Sequence, residues 1–285
     1  MRERIEYLRP LTVDGAVKAL TESEGAAVIA GGTDLMIDLR EGKFNGSRLV
    51  DVTGLAEMRG LEDHGDHISI GAAVKIEELR QSALVKAKLP ALALAADKFA
   101  GLQVRNQGTI GGNVGHAAPC GDTHPPLILY EALGEVATAS GRELRPVGDL
   151  FSGPNRSALK PGELLVRFLV KPEAMTLVDF QKIGRRKDLA ISRVSLALGL
   201  NLDGAGKIDR AKVVLGACMP TTRRMPRTEE FLIGRESRWP IFKEAATLMA
   251  EEMIAITGRR ASIAYKEPAI QGLMLRMLHP LVGRS

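Results

Sequence analysis

The alternation of apolar and polar positions predicts helices and strands mixed along the first half of the chain. Thr12 supplies a hydroxyl N-cap, and Val13, Val17 and Leu20 after it share one helical face, so a helix is expected there. Short apolar runs predict strands in "ERIEYLRP", "AAVIA", "RLVDV" and "HISIGAAV". Further helices are predicted in "LMIDLREG", "KIEELRQS", "KLPALALAADKFAG" and "PLILYEALG".

The second half has a different order, with strands first and helices last. Ser140-Gly141 marks a hairpin, and "SRVSLALGLNL" and "IDRAKVVLGAC" flank a "DGAGK" turn that predicts another. Two long helices are expected in "WPIFKEAATLMAEEMIAI" and "KEPAIQGLMLRMLHPLV". This order indicates an α+β fold, with a domain boundary near residue 172 that separates residues 1–172 from 173–285.

Length and composition are those of a globular chain. Its 285 residues favour two domains, and 45% hydrophobic with 26% charged residues is ordinary for such proteins. No apolar stretch approaches the ~20 residues that span a bilayer. The N-terminus lacks the apolar segment of a signal peptide, so we expect a cytoplasmic protein without an integral membrane segment. Cys120 and Cys218 are too few for a thiolate cluster, so any iron–sulfur centre would belong to another polypeptide.

The net charge of +5 raises the question of nucleic-acid binding. The basic clusters are short, for example Arg185, Arg186 and Lys187, and aromatic residues make up only 4% of the chain, which leaves few stacking platforms. A solvated or partner-facing basic surface is therefore favoured, and no nucleic-acid partner is expected.

Two Gly-Gly steps, in "IAGGTDL" and "GTIGGNVG", are the most informative local feature. Consecutive N–H groups at such a turn form a nest for anions, and a helix that begins there adds positive potential. Neither turn matches the G-x-G-x-x-G or G-K-[ST] nucleotide motifs, which excludes Rossmann and P-loop folds at these positions. The residues alone leave two alternatives open: a grip on a phosphate or pyrophosphate, and two purely structural turns.

The same region also contains residues with a spacing typical of metal ligands. His116, Cys120 and His124 are spaced by four, which would place them on one face of a helix. Pro119 and Gly121 interrupt that helix, so neither a zinc site nor a Cys/His catalytic pair is expected.

The chain resembles the FAD-binding medium subunits of molybdenum hydroxylases, the family of xanthine dehydrogenase and aerobic carbon monoxide dehydrogenase. The resemblance covers nearly the whole chain and is carried by "YLRPLTVDGAVKAL", "VIAGGTDL", "FAGLQVRNQGTIGGNVGHAAPCGDTHPPL", "PGELLVRFLV" and "FQKIGRRKDLAISRVSLAL". It implies an N-terminal FAD-binding module of vanillyl-alcohol-oxidase type with two α/β subdomains, a C-terminal α+β domain, and FAD held noncovalently between them.

The resemblance also implies the cofactor contacts. The first turn contributes Val28, Ala30, Gly31, Gly32, Thr33, Asp34 and Leu35, and the second contributes Thr109, Gly111, Gly112, Asn113 and His116. Asp122 matches an acid at the adenosine end, and Lys182 matches a basic contact, with Gln181 as the alternative if the match shifts by one residue. The other matching positions are Phe99, Leu165, Asp188 and Leu189, the last two beside the isoalloxazine ring. Without the resemblance, core packing would be favoured for Phe99, Leu165 and Leu189. The aliphatic Leu189 favours the xanthine dehydrogenase branch over the carbon monoxide dehydrogenase branch, which has an aromatic residue there.

The implied function is electron transfer with no catalytic residue and no metal on this chain. A molybdenum-cofactor large subunit would oxidise the substrate, a [2Fe–2S] small subunit would carry electrons, and FAD here would pass them to NAD⁺, a quinone or oxygen. The loop with four cysteines of the aromatic-thioester reductases is absent from this sequence, which argues against that branch. A free-standing FAD-dependent NAD(P)H oxidoreductase is the main alternative, and a basic phosphate- or nucleic-acid-binding module without redox chemistry is the third. Valine at Gly32 or Gly111 is expected to release FAD by occupying the space of the pyrophosphate.

Overall fold

The computed structural model describes residues 5–186 and 189–282. Its strands are β1 (Glu6–Leu8), β2 (Ala27–Ile29), β3 (Arg48–Asp51), β4 (Leu61–Asp63), β5 (Ile68–Gly71), β6 (Leu133–Thr138), β7 (Gly141–Pro146), β8 (Phe151–Gly153), β9 (Arg156–Ser157), β10 (Leu164–Val170), β11 (Leu177–Ile183), β12 (Val194–Leu202), β13 (Ile208–Gly216) and β14 (Arg223–Arg224). Its α-helices are α1 (Val13–Thr21), α2 (Leu35–Glu41), α3 (Ile76–Gln81), α4 (Ala83–Lys88), α5 (Pro90–Lys98), α6 (Leu102–Arg105), α7 (Ile110–His116), α8 (His124–Leu129), α9 (Pro226–Leu232), α10 (Trp239–Thr257) and α11 (Ile263–Leu278).

The chain folds into two compact units whose segments alternate along the sequence. The N-terminal unit comprises the chain up to Ser82, then Gly101–Ala118 and Glu131–Pro172. The C-terminal unit comprises Ala83–Ala100, Pro119–Tyr130 and the chain from Glu173 onward. Helices α4, α5 and α8 therefore pack with the C-terminal unit, although they precede residue 172.

A small parallel sheet in the N-terminal unit positions the first glycine turn. Its strand order is β1-β3-β2, with Leu8 and Val28 both paired to Val50. Parallel neighbours need a crossover connection, and α2 supplies it between β2 and β3. Thr12 caps α1 as expected, because its Oγ1 accepts a hydrogen bond from the N–H of Gly15 at 3.0 Å. The turn follows directly after β2.

The second sheet of this unit is antiparallel, with the order β4-β5-β10-β6-β7. The central strand β10 pairs Phe168 with Ile70 of β5 and with Gly134 of β6, and the Phe168 side chain is fully buried. The predicted hairpin at Ser140-Gly141 is confirmed as the β6–β7 turn.

The C-terminal unit is a four-stranded antiparallel sheet, in the order β11-β12-β13-β14, packed against helices. The predicted β12–β13 hairpin is confirmed, and Gly206 takes a positive φ of 75° in its turn. Apolar faces of α10 and α11 enclose one core with β12 and β13, in which Phe242 and Met274 are fully buried. The two long C-terminal helices are thus where the apolar spacing predicts them.

Candidate functional site

The first glycine turn leaves backbone donors unused. Gly32 is left-handed, with φ +67°, and α2 begins three residues later with Asp34 as an N-cap whose side chain makes no capping hydrogen bond. In residues 5–186 and 189–282, no hydrogen bond engages the N–H groups of Gly32, Thr33 and Asp34. Three successive free N–H groups in a turn are the arrangement that binds anions.

The second turn differs because its donors are already satisfied. The N–H groups of Ile110 and Gly111 bond to the carbonyls of Val74 and Ala72, at 3.0 and 2.8 Å. Gly112 donates to Thr109 Oγ1 at 3.0 Å, and Asn113 donates to the Thr109 carbonyl. The expectation of a second nest is therefore wrong. The Thr109 hydroxyl can still donate its own proton, since its oxygen serves as the acceptor for Gly112.

The two turns meet within the N-terminal unit. A Cβ built on Gly31 would lie 2.0 Å from the carbonyl oxygen of Gln107, so the first turn packs directly on the segment that leads into the second. A Cβ on Gly111 would lie 2.5 Å from that of Ala72. Glycine is thus required at both positions by the packing of the chain on itself. For Gly111 this differs from the expectation that valine would occupy the space of the pyrophosphate, because valine there would clash with Ala72.

A cavity of about 500 Å³ lies where the turns meet. Ala30, Gly31 and Thr109 line it, and all three are among the predicted contacts. The sequence analysis did not identify Arg59 and Lys75, which also line it. The cavity combines hydroxyl and basic groups, which suits an anionic ligand.

In the C-terminal unit, the predicted residues Asp122 and Lys182 form a buried ion pair. Lys182 Nζ lies 2.5 Å from Asp122 Oδ2, and the Ser192 hydroxyl donates to Oδ1 at 2.5 Å. Burial raises the pKa of Asp122, while the Lys182 ammonium and the Ser192 hydrogen bond oppose that rise. Ser192 had no signal in the sequence.

Gln181, the alternative to Lys182, belongs to a separate polar network of this unit. Its Oε1 accepts from Lys98 Nζ at 2.6 Å and from the guanidinium of Arg276 at 3.1 Å. Burial lowers the pKa of Lys98. Phe99 ends α5 next to this lysine and is half-buried.

Among the described residues, Leu165 and Leu189 belong neither to the cavity lining nor to these two polar groups. Leu165 is buried in β10, where its side chain packs beside Gly134 of β6. Leu189 is exposed and left-handed, with φ +54°, and its carbonyl accepts from Arg186. Asp188 lies outside the described residues.

The secondary structure separates the residues whose spacing is typical of metal ligands. α7 ends at His116 and α8 begins at His124, so no single helix carries both histidines and Cys120. Over the described ranges, no three His, Cys, Asp or Glu side chains are grouped so that they could hold a metal ion. In the same ranges, no helix has the length and apolar character required to cross a bilayer.

Two family models match the chain. One, described as the FAD binding domain in molybdopterin dehydrogenase, covers residues 3–171, and the other, the CO dehydrogenase flavoprotein C-terminal domain, covers residues 179–281. The fold is thus that of an FAD-binding oxidoreductase subunit. The chain belongs to the flavoprotein family of the molybdopterin dehydrogenases.

Individual relatives agree with this assignment. The chain is 27% identical over 282 residues to the xanthine dehydrogenase FAD-binding subunit of Escherichia coli, with 98% of this chain and 96% of the relative covered. It is 31% identical over 256 residues to the carbon monoxide dehydrogenase medium chain of Hydrogenophaga pseudoflava, with 89% and 87% covered. A solved structure of carbon monoxide dehydrogenase from Hydrogenophaga pseudoflava, which lacks the Mo-pyranopterin moiety, superposes with a TM-score of 0.89 at 28% identity and covers 98% of this chain and 97% of that chain. The predicted family, fold class and FAD cofactor are confirmed.

Proposed function

We propose that this chain is the FAD-binding electron-transfer subunit of a heteromeric, cytoplasmic molybdenum hydroxylase. Electrons released on a molybdenum-cofactor subunit would arrive through the [2Fe–2S] clusters of a second partner and leave to NAD⁺, a quinone or oxygen. The observation that carries the proposal is the first glycine turn, packed on the segment before the second turn and bearing three unused N–H groups.

The residues of this turn fit the pyrophosphate of FAD. Three free N–H donors suit oxygens that carry negative charge, and Ala30 and Gly31, which directly precede these donors, line a cavity together with Thr109. When bound, FAD supplies the redox chemistry, and the protein contributes its position and electrostatic surroundings. In this proposal, Gly32, Thr33 and Asp34 bind the diphosphate through their backbone N–H groups. A change of the Thr33 side chain should therefore reduce FAD affinity less than a change in the backbone conformation of the turn.

The C-terminal unit would contribute a positioned charge pair. Asp122 accepts from both Lys182 and Ser192, which fixes the carboxylate and leaves the ammonium with donors to spare. We propose that this pair, with Phe99, Leu189 and Asp188, contacts the cofactor, and that Leu165 supports it from the core. No residue of this chain is needed as a general acid or base.

Flavin analysis and copurification test the proposal. The native protein should be yellow, release FAD on acid treatment and bring down a molybdenum subunit and a [2Fe–2S] subunit. A folded chain that takes up no FAD during reconstitution would refute the cofactor assignment. A yellow protein that is isolated alone and oxidises NAD(P)H efficiently would instead contradict the partner assignment and favour a free-standing oxidoreductase.

A further inference from the structure

We propose that Arg59 and Lys75 form a phosphate subsite in the cavity beside the first glycine turn. The inference rests on the proposed function, because it assigns the phosphate to bound FAD. It adds two side-chain cations to a site that otherwise offers backbone N–H groups and a hydroxyl. Both residues line the cavity of about 500 Å³, a volume within the range of small-molecule sites.

Arg59 is held in place by a chain of hydrogen bonds that starts at a buried carboxylate. Asp51 is 5% exposed, and its Oδ1 accepts from the N–H and the hydroxyl of Thr53, at 2.8 and 2.7 Å. Tyr7 donates to Oδ2 at 2.5 Å. Burial acts to raise the pKa of Asp51, but the hydrogen bonds from Thr53 and Tyr7 leave it below its ordinary value. Thr53 is thus fixed by an ionised partner.

The carbonyl of Thr53 in turn orients the arginine. It accepts from both Nε, at 2.8 Å, and Nη2 of Arg59. A guanidinium carries five N–H donors in a fixed fork, so this anchoring leaves Nη1 available to a ligand. No ion pair to Arg59 occurs within residues 5–186 and 189–282, so its positive charge is not neutralised by the described carboxylates.

Lys75, the second cation of the cavity lining, is an unusual residue for its position at the start of a helix. It is the N-cap of α3, a position at which Ser, Thr, Asp and Asn are strongly preferred because they accept from the first helical N–H groups. A lysine has no acceptor to offer there. Its backbone forms a bridge with Thr109, which places it beside the second turn. Lys75 therefore gives up the stabilisation of a good N-cap at a position that lines the cavity, which indicates a role for its ammonium group outside the helix.

The charge of the lining agrees with an anionic ligand. Glu78 is the acidic residue of the lining, and its Oε2 lies 3.4 Å from the Lys75 backbone nitrogen. Two cations, Arg59 and Lys75, against one carboxylate, Glu78, give the cavity lining a formal charge of +1. Phosphate oxygens are the ligand class that such donors bind most strongly.

Flavin titration of the apoprotein tests the subsite with Arg59→Gln and Lys75→Thr. The threonine is chosen because it is a better N-cap than lysine, so the variant should fold at least as stably while losing the cation. Each variant should weaken FAD binding by about tenfold or more, the usual effect of losing a charge-assisted hydrogen bond. Riboflavin, which has no phosphate, should bind as it does to the wild type. Lys171→Gln, an exposed lysine of the same unit, is the control for net charge and should bind FAD normally.

The outcomes separate this inference from the proposed function. Loss of FAD affinity in both variants, with thermal unfolding and riboflavin binding unchanged, supports the subsite. Unchanged FAD affinity overturns it, and so does the finding that inorganic pyrophosphate binds the wild type without competing with FAD, which would indicate a separate anion site. A folded wild-type chain that binds no FAD would overturn the proposed function itself.

Discussion

Replacement of Gly31 by alanine should destabilise the apoprotein before any cofactor is considered. The new Cβ would lie 2.0 Å from the Gln107 carbonyl oxygen, 2.5 Å from its carbonyl carbon and 2.9 Å from Gly108 Cα. These are backbone atoms, so no side-chain rotation relieves the clash. The turn and the segment around Gln107 must separate by about 1 Å to reach the shortest contact that real Cβ atoms make, 3.0 Å.

The size of the effect follows from this geometry. Overpacking typically costs about 1–3 kcal/mol, and a clash between two backbone segments belongs at the upper end. A loss of about 3 kcal/mol lowers the melting temperature of a chain of this size by about 6 °C or more. Since the displaced segment leads to Thr109, FAD affinity should fall as well.

Gly115 provides a matched control in the same unit. It lies inside α7, and a Cβ there would meet no atom within 4 Å. Alanine is a better helix former than glycine by about 0.5–1 kcal/mol, so Gly115→Ala should raise the apoprotein melting temperature slightly. Thermal unfolding of both apoprotein variants by circular dichroism decides the matter. Equal melting temperatures for Gly31→Ala and wild type would refute the packing argument.

Three other predictions concern buried ionisable groups. Hydrogen bonds from Arg80 and Arg105 lower the pKa of Glu77 from 4.5 to about 2; its carboxylate therefore stabilises the fold above pH 4.5, and this contribution is lost as the pH falls towards 2. Urea unfolding of Glu77→Gln should show a weaker pH dependence across that range, and an unchanged profile would contradict the assignment. Asp122→Asn should lower the free energy of unfolding by about 3 kcal/mol, because it leaves the buried Lys182 without its carboxylate partner. A second change, Lys182→Met, should recover part of that loss. Urea titration measures the free energy of unfolding of both variants. Burial raises the pKa of Cys218 to about 12, so iodoacetamide at pH 8 should leave it unmodified in the native protein, and rapid labelling seen by mass spectrometry would be inconsistent with this burial.

The sequence predicts the elements that depend on local signals. Thr12 as a cap, Pro90 at the first turn of α5, and the glycine turn before β13 each act on neighbouring residues, and the corresponding elements form where they are expected. Helix α7 is one of the elements that were not predicted, since it contains three glycines and has poor helix propensity. It forms because the carbonyls of Val74 and Ala72, from a distant segment, accept its first N–H groups.

The candidate site is predictable to the same extent. The first turn is recognised from a strand, two glycines and a helix in immediate succession. Arg59 and Lys75 are brought to the candidate site only by the fold, since neither residue is close to a glycine turn in the sequence. Lys75 carried one detectable signal, an unsuitable residue at a helix start. The partnership of Asp122 with Lys182 needed the pairing of distant segments of the C-terminal unit, which periodicity does not provide.

The alternation of the two units along the chain sets the timing of folding during synthesis. Helices α4, α5 and α8 belong to a unit whose remaining strands and helices all follow Pro172. Ribosomes add about 5–20 residues per second, so the 113 residues from 173 to 285 take on the order of ten seconds to appear. Throughout that interval, the apolar side chains of Leu92 and Leu127, both fully buried in the folded protein, lack the strands and helices that they pack against. The nascent chain is therefore most exposed to aggregation after its first unit is complete, and expression of residues 1–172 alone would make that vulnerable state permanent.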